Sequence, residues 1–274
     1  MRDYTEEELK MLSELLPNIA QQLRVGMSTM YTAVDRLIPP ETRENDPEAD
    51  RTAAVFCQSY YSLYRTASNL TEAGRFFADR RLELYDDDIV GLCRHVCREA
   101  EFLFELCGIT LDFAADRDSR IIGMDADALR RLLMNLLSNA LKFTPSGGTV
   151  RVRVRAEGRV VKLIVSDNGC GISPDRLDHI FDRFLQPNGC DPAPHGLGLG
   201  LPICQRIVQG HGGLLFVDSE EGEGSTFTVS LPAVCSGRVR MRDSGSDYAG
   251  GFNRTLVELA DALPAEAFLQ KYLD

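Results

Sequence analysis

Asn135, Asn139 and Lys142 fall within two turns of the segment NLLSNALKF, the two asparagines four residues apart and so on one helix face. Two amides and an ammonium suit Mg2+ bridging phosphates, because Mg2+ takes oxygen ligands and keeps water and substrate oxygens in its octahedral shell. Taken alone, the three residues are equally what a polar helix face contains. Further along, DNGCGIS closes a strand-like run with Asp167 at its tip, while Gly169 and Gly171 let the backbone approach a flat ligand. A carboxylate there can accept a hydrogen bond from an exocyclic amine such as that of adenine, although aspartate and glycine are also ordinary turn residues. FDRF, Phe181 to Phe184, leads into a loop of prolines and glycines in which Gly196, Gly198 and Gly200 open a helix. Successive backbone N–H groups at a helix start form an anion site. The dinucleotide-binding fingerprint fits poorly, since its glycines follow the first strand of a βαβ unit and these follow a long loop. GEGSTF adds Gly222, Gly224 and Thr226, read as a turn packed against that loop.

Positioning these groups requires strands and helices in alternation. IVGLCRHVCREAEFLFELCG and ADALRRLLMNLLSNALKFT read as helices, ITLDFA and RIIGMD as short strands, and GTVRVRVRAEGRVVKLIVSDNG as a hairpin of period two around Glu157-Gly158. PICQRIVQGHGG reads as a helix ending at glycines, and GLLFVDS with STFTVSLP as a second hairpin. Helices interleaved with hairpins predict a mixed sheet covered on one face, an α/β sandwich. Upstream, residues 5 to 38 carry apolar or small residues at Leu9, Leu12, Leu16, Ile19, Leu23, Gly26, Met30, Ala33 and Leu37, spaced by three and four as in a helix seam. After the loop IPPETRENDPEAD, a second helical stretch places Tyr60, Leu63, Ala67, Leu70, Phe77 and Leu84 on one face. The seam is too wide for a lone hairpin and predicts a four-helix bundle in a dimer. Pro17 should kink the first helix. The fold class is α+β, with a helical hairpin over 1–88, an α/β sandwich over 89–235, and a C-terminal extension over 236–274 read as two short helices.

The four motifs, in this order, resemble the ATP-binding domain shared by histidine kinases, gyrase, Hsp90 and MutL. The resemblance covers about residues 89–235. It implies ATP and Mg2+ as cofactors, with Asn139 as the metal ligand, Lys142 on phosphate and Asp167 on adenine. The implied nucleotide site comprises Asn135, Asn139, Lys142, Asp167, Gly169, Gly171, Phe181, Arg183, Gly196, Gly198, Leu199, Gly200, Leu201 and Thr226, the glycine loop acting as a lid. Members that hydrolyse ATP or phosphorylate serine place a glutamate four residues before the metal asparagine. Asn135 stands there, which favours the sensor histidine kinase branch of two-component signalling.

The front hairpin resembles the dimerisation and phosphoacceptor domain of those kinases, whose first helix carries a pattern like S-H-E-L-R-T-P-L. The corresponding residues read AQQLRVGM, Ala20 to Met27, in which Leu23 and Arg24 match; RTASNLTEAGRF resembles the family's second helix. In this register the acceptor position holds Gln21 and the adjacent acid is Gln22. An amide nitrogen has its lone pair delocalised, so it neither accepts a phosphoryl group as imidazole does nor serves as a general base. The histidines are 95, 179, 195 and 211, all in the ATP-binding half.

Composition bounds the rest. The chain has 274 residues and a net charge of -11, which disfavours nucleic acid and anionic membrane as partners. No apolar run approaches the roughly 20 residues of a bilayer crossing, and the acidic start MRDYTEEELK is unlike a secretion signal, so a cytoplasmic chain is expected. Eight cysteines without metal-ligand spacing read as reduced thiols. Three readings stay open: a sensor histidine kinase-like protein, homodimeric and paired with a response regulator; a pseudokinase in which ATP gates a partner; and a serine or threonine kinase of the anti-sigma type.

Overall fold

The computed structural model describes residues 6–77, 82–177, 179–181, 198–239 and 253–273, which form two compact units. The first unit comprises residues 1–80 with 248–274. Its helices α1 (Glu6–Leu37) and α3 (Pro47–Phe77) form a hairpin joined through α2 (Pro40–Asn45). The prolines of the connection start helices rather than only breaking them: Pro40 and Pro47 occupy first positions, where a missing N–H costs nothing. Asp46 caps α3 by accepting from the N–H groups of Glu48 at 2.9 Å and Ala49 at 3.2 Å.

The seam within the hairpin is offset from the leucine-rich stripe. Ala20 and Met27 of α1 are buried, with Pro17, Arg24, Tyr31 and Val34 half-buried beside them, whereas Ile19, Leu23, Met30 and Leu37 are 45 to 79% exposed. Small residues let the helices approach: Ala20 and Ala67 are fully buried. Arg24 then reaches across to Thr71 Oγ1 at 2.8 Å with its guanidinium over the Tyr64 ring. On α3, Leu63 is also exposed, and Leu84 lies beyond the helix end. Helix α1 runs continuously through Pro17.

A short tail helix (Arg254–Leu259), capped by Asn253, and the 3-10 turns after it pack on α3. Phe268 is fully buried with its ring 5.3 Å from that of Tyr61. Buried Arg43 donates to Phe268 O at 2.9 Å and to Asp50 Oδ1 at 3.0 Å. Gln58 Nε2 donates to Leu263 O at 2.7 Å, and Ser62 Oγ donates to Asp261 at 2.7 Å.

The second unit, residues 81–247, begins with β1 (Tyr85–Asp88), α4 (Ile89–Leu106), β2 (Thr110–Ala115), β3 (Ile121–Met124) and α5 (Ala126–Phe143). It continues with β4 (Thr149–Glu157), β5 (Val160–Asp167), α6 (Pro174–Leu177), α7 (Gly200–Gly210), β6 (Leu214–Glu220) and β7 (Gly224–Pro232). The main sheet has the order β2-β4-β5-β7-β6, with β2 parallel to β4 and the other pairs antiparallel. Val150, Val152 and Val154 of β4, Val161, Leu163 and Val165 of β5, and Phe227, Val229 and Leu231 of β7 are buried on one face. Helices α4, α5 and α7 pack there, α5 contributing fully buried Leu132, Leu133, Leu136 and Leu137. The acidic YDDD of β1 pairs antiparallel with β3. Asp86 receives the N–H of Gly237 at 3.1 Å and Asp88 caps α4 through Val90 N–H at 3.1 Å, so the acids of this strand are tied into hydrogen bonds. Among the described residues no helix is long and apolar enough to cross a membrane.

Candidate nucleotide-binding site

Asp167 ends β5 on the buried face of the sheet, because the strand alternates and Val161, Leu163 and Val165 precede it in step. Its register partner on β7 is Ser225. Oδ1 accepts from Gly169 N–H at 3.0 Å and from Ser225 N–H at 3.3 Å, while no described residue hydrogen-bonds Oδ2. Burial raises the carboxyl's pKa above the ordinary aspartate value, and the two backbone donors oppose that rise. A half-buried carboxylate with one oxygen fixed and the other open is suited to accepting from a ligand amine.

The glycines of the turn are required sterically. A Cβ on Gly169 would lie 2.3 Å from Phe143 O, and Gly171, at φ +67, would place one 2.0 Å from Glu220 O. Gly224, at φ +112, approaches Asp167 O just as closely. Ser219 Oγ locks the arrangement, accepting from Ile172 N–H at 2.9 Å and donating to Gly224 O at 2.8 Å. It also sits 3.0 Å from Ser225 Oγ.

On α5, Asn135 is buried and Asn139 and Lys142 are half-buried. Helix α7 starts against Asn135: the Cβ position of Gly200 is 3.7 Å from Asn135 Oδ1. Gly198 adopts φ +66, Leu199 is buried, and Leu201 is half-buried in the first turn. The amide oxygen of Asn139 is a hard donor of the kind Mg2+ accepts, and the described residues contain no cluster of acids, cysteines and histidines able to hold a metal unaided. A single amide oxygen fits a cation that takes its other ligands from water and phosphate. Phe181 is half-buried after α6; Arg183 and Gly196, like His195, lie outside the described residues.

Thr226 falls on the opposite side of the sheet from Asp167. It pairs with Ser166 and Asp218, and alternation places it with Thr228 and Ser230 on the outer face. The inner-face residue at the end of β7 is Ser225, which sequence reading overlooked although a period-two count back from buried Phe227 identifies it. His211 was also unread: it is buried after α7, with Nδ1 2.7 Å from Ile207 O and Nε2 accepting Asp125 N–H at 3.0 Å. Burial lowers its pKa, so the imidazole is a neutral brace between α7 and α5. His95 is exposed on α4 with Nε2 3.3 Å from Glu99. Gln21 and Gln22 are exposed on α1.

An open carboxylate at a strand end, two asparagines on a facing helix and a glycine-led helix start define a nucleotide-binding α/β sandwich. Residues 124–234 match the family described as histidine kinase-, DNA gyrase B-, and HSP90-like ATPase, and the chain carries the catalytic ATP-binding core of histidine kinases. It is 31% identical over 238 residues to the adaptive-response sensory kinase SasA of Synechococcus sp. (strain JA-2-3B'a(2-13)), covering 84% of this chain and 62% of SasA. The chain thus spans less than two thirds of that relative's length. The structure of full-length ShkA in complex with AMPPNP superposes with TM-score 0.59 at 29% identity over 77% of this chain and 45% of ShkA. Histidine kinase ThkA in complex with the response regulator protein TrrA shares the fold, with TM-score 0.56 at 22% identity over 83% of this chain and 64% of ThkA.

Proposed function

We propose that the chain binds Mg-ATP between α5, the Asp167 turn and the start of α7, and acts in two-component signalling as a histidine kinase-like protein whose own hairpin does not accept the phosphoryl group. One observation carries the second half of this reading: the first 94 residues contain no histidine, and Gln21 occupies the position matched to the acceptor. The nucleotide half is supported by Asp167, whose open Oδ2 would accept from the adenine amine. Asn139 would ligate Mg2+ through its amide oxygen, Lys142 would meet phosphate, and the N–H groups at the start of α7 would face anionic oxygens. When bound, Mg2+ would neutralise charge on the phosphates.

Without an acceptor in the hairpin, the phosphoryl group passes to another chain, or ATP serves as a ligand that sets the protein's conformation. A response regulator is the partner suggested by the TrrA complex of ThkA. The stripe Ile19, Leu23, Met30 and Leu37, exposed on α1, supports a homodimer in which a second hairpin covers it. Transfer to serine or threonine is disfavoured by Asn135, an amide where a carboxylate base would be needed. Incubation with radiolabelled ATP, followed by acid and base treatment of the labelled protein, tests the reading. No label on this chain is expected; acid-labile, base-stable label on the wild-type chain would overturn it.

A further inference from the structure

On the outer face of the main sheet β4 and β5 bring Arg151, Arg153, Arg155 and Lys162 together on a chain of net charge -11, while the acids of that face stand around them, Asp112 on β2, Glu157 at the end of β4, and Asp218 and Glu220 on β6. Arg151, Arg153 and Arg155 alternate along β4 with buried Val150, Val152 and Val154, so all three guanidiniums stand on the side away from the helices. No described residue forms an ion pair or hydrogen bond with any of them, including Asp112, the register neighbour of Arg151 on β2. Arg155 lies directly opposite Lys162 on β5, and like charges facing across an antiparallel pair destabilise it. Only Lys162 is compensated, by Glu157 at 2.6 Å. The same face carries apolar side chains at its other end. Leu214 and Phe216 of β6 are 63% and 54% exposed, and half-buried Ile164 pairs with Arg153 on one side and Thr228 on the other.

We propose that this sheet face is a docking surface for an acidic polypeptide segment that also bears apolar side chains. Carboxylates supply the charge the three arginines lack, bidentate geometry favours carboxylate recognition by arginine, and Leu214 and Phe216 supply apolar area that a bare polyanion would leave uncovered. Those two residues, with the repulsion the rest of this acidic chain exerts on a long polyanion, favour polypeptide over nucleic acid. The surface is separate from the nucleotide site, on the opposite side of the sheet from Asp167, and its test does not depend on ATP binding.

Fluorescence anisotropy of the full chain with a labelled, glutamate-rich peptide containing two phenylalanines provides the test. Binding should weaken as salt is raised, and the triple variant Arg151→Gln, Arg153→Gln, Arg155→Gln should bind about tenfold or more weakly, with its thermal melt reporting intact folding. Should the triple variant fail to fold, Arg155→Glu at the exposed end of the strand gives the same reading. Leu214→Ser with Phe216→Ser should also weaken the peptide. Unchanged peptide affinity in the folded arginine variant overturns the proposal, and tighter binding of labelled oligothymidylate than of the peptide overturns it in favour of nucleic acid.

Discussion

Pro17 of α1 and Gly74 of α3 are fitted to each other: a Cβ at Gly74 would lie 2.6 Å from Pro17 Cδ and 3.3 Å from Ser13 O. The proline ring takes the space that any side chain at 74 would need, and proline brings no backbone N–H to this turn of α1. Gly74→Ala gains about 1 kcal/mol of helix propensity. Overpacking against a rigid ring costs about 1–3 kcal/mol, so the variant should be destabilised on balance. Pro17→Ala in the same chain should recover most of the loss. Urea denaturation of the two single variants and the double variant measures the coupling; additive effects would show that the two residues do not constrain each other.

Asp167 should make nucleotide affinity fall on acidification. Its carboxyl titrates above the ordinary aspartate value because of burial, and only the ionised form accepts fully from an amine. The folded-state value is raised, so the charged group opposes folding above that pKa, and the opposition is relieved as pH falls through it. Stability and affinity therefore move in opposite directions over this limb. Calorimetric titration of ATP should show affinity declining at a higher pH than an exposed aspartate would produce. Asp167→Asn should bind weakly at every pH without that limb; wild-type-like affinity in Asp167→Asn would remove the residue from adenine recognition.

Ser225 and Thr226 give opposite expectations although they are adjacent. Ser225→Val replaces the hydroxyl beside Asp167 and Ser219 and should weaken nucleotide by about 1–2 kcal/mol through the lost polar contact and added bulk. Thr226→Ala, on the outer face, should leave affinity within about twofold, as expected of surface changes within about 0.5 kcal/mol. The reverse pattern in calorimetry would show that the inner face of β7 does not line the site.

Those two residues also indicate what the sequence could disclose. The strand β7 was legible because β-branched and apolar residues alternate in it, yet the face of each residue depends on a register of period two, and an error of one position exchanges the faces. Which stripe of α1 meets α3 is hard to read for a related reason. Ile19, Leu23, Met30 and Leu37 mark the stripe left exposed, while the stripe toward α3 adds Pro17, Ala20, Arg24 and Tyr31 to half-buried Leu12 and Leu16, and its fit depends on residues such as Gly74 and Thr71 far away in sequence. Strand β1 was unreadable because Asp86 and Asp88 owe their places to donors from Gly237 and Val90 rather than to apolar burial. By contrast, α5, β4 and β5 carry strong local periodicity, and with it the places of Asn135 and Asn139 on one helix and of Asp167 at a strand end were legible.

The tail should stabilise the helical unit. Phe268→Ala removes a fully buried ring packed on Tyr61, and such truncations cost about 3–5 kcal/mol. Arg43→Ala leaves Phe268 O without its side-chain donor and Asp50 Oδ1 with only the Gln270 N–H, and should cost about 1–3 kcal/mol. Thermal unfolding should show both variants melting earlier. If neither changes the transition, the tail contributes nothing to the stability of the hairpin it covers.

The last prediction concerns Gln21. The residue is exposed on α1 next to fully buried Ala20, so a side chain there projects away from the seam with α3. If its position is that of the acceptor, the double change Gln21→His with Gln22→Glu should supply both a nucleophilic imidazole and an adjacent base. Acid-labile, base-stable label from radiolabelled ATP should then appear on a chain that otherwise takes none. Geometry is the demanding step, since a misplacement of about 1 Å can cut transfer about a hundredfold, and Pro17 lies one turn before the site. A silent double variant is therefore to be repeated with Pro17→Ala, which supplies the backbone N–H that proline lacks and empties the space against Gly74. If that triple variant binds ATP and dimerises but remains unlabelled, Gln21 does not occupy the position of a phosphoacceptor.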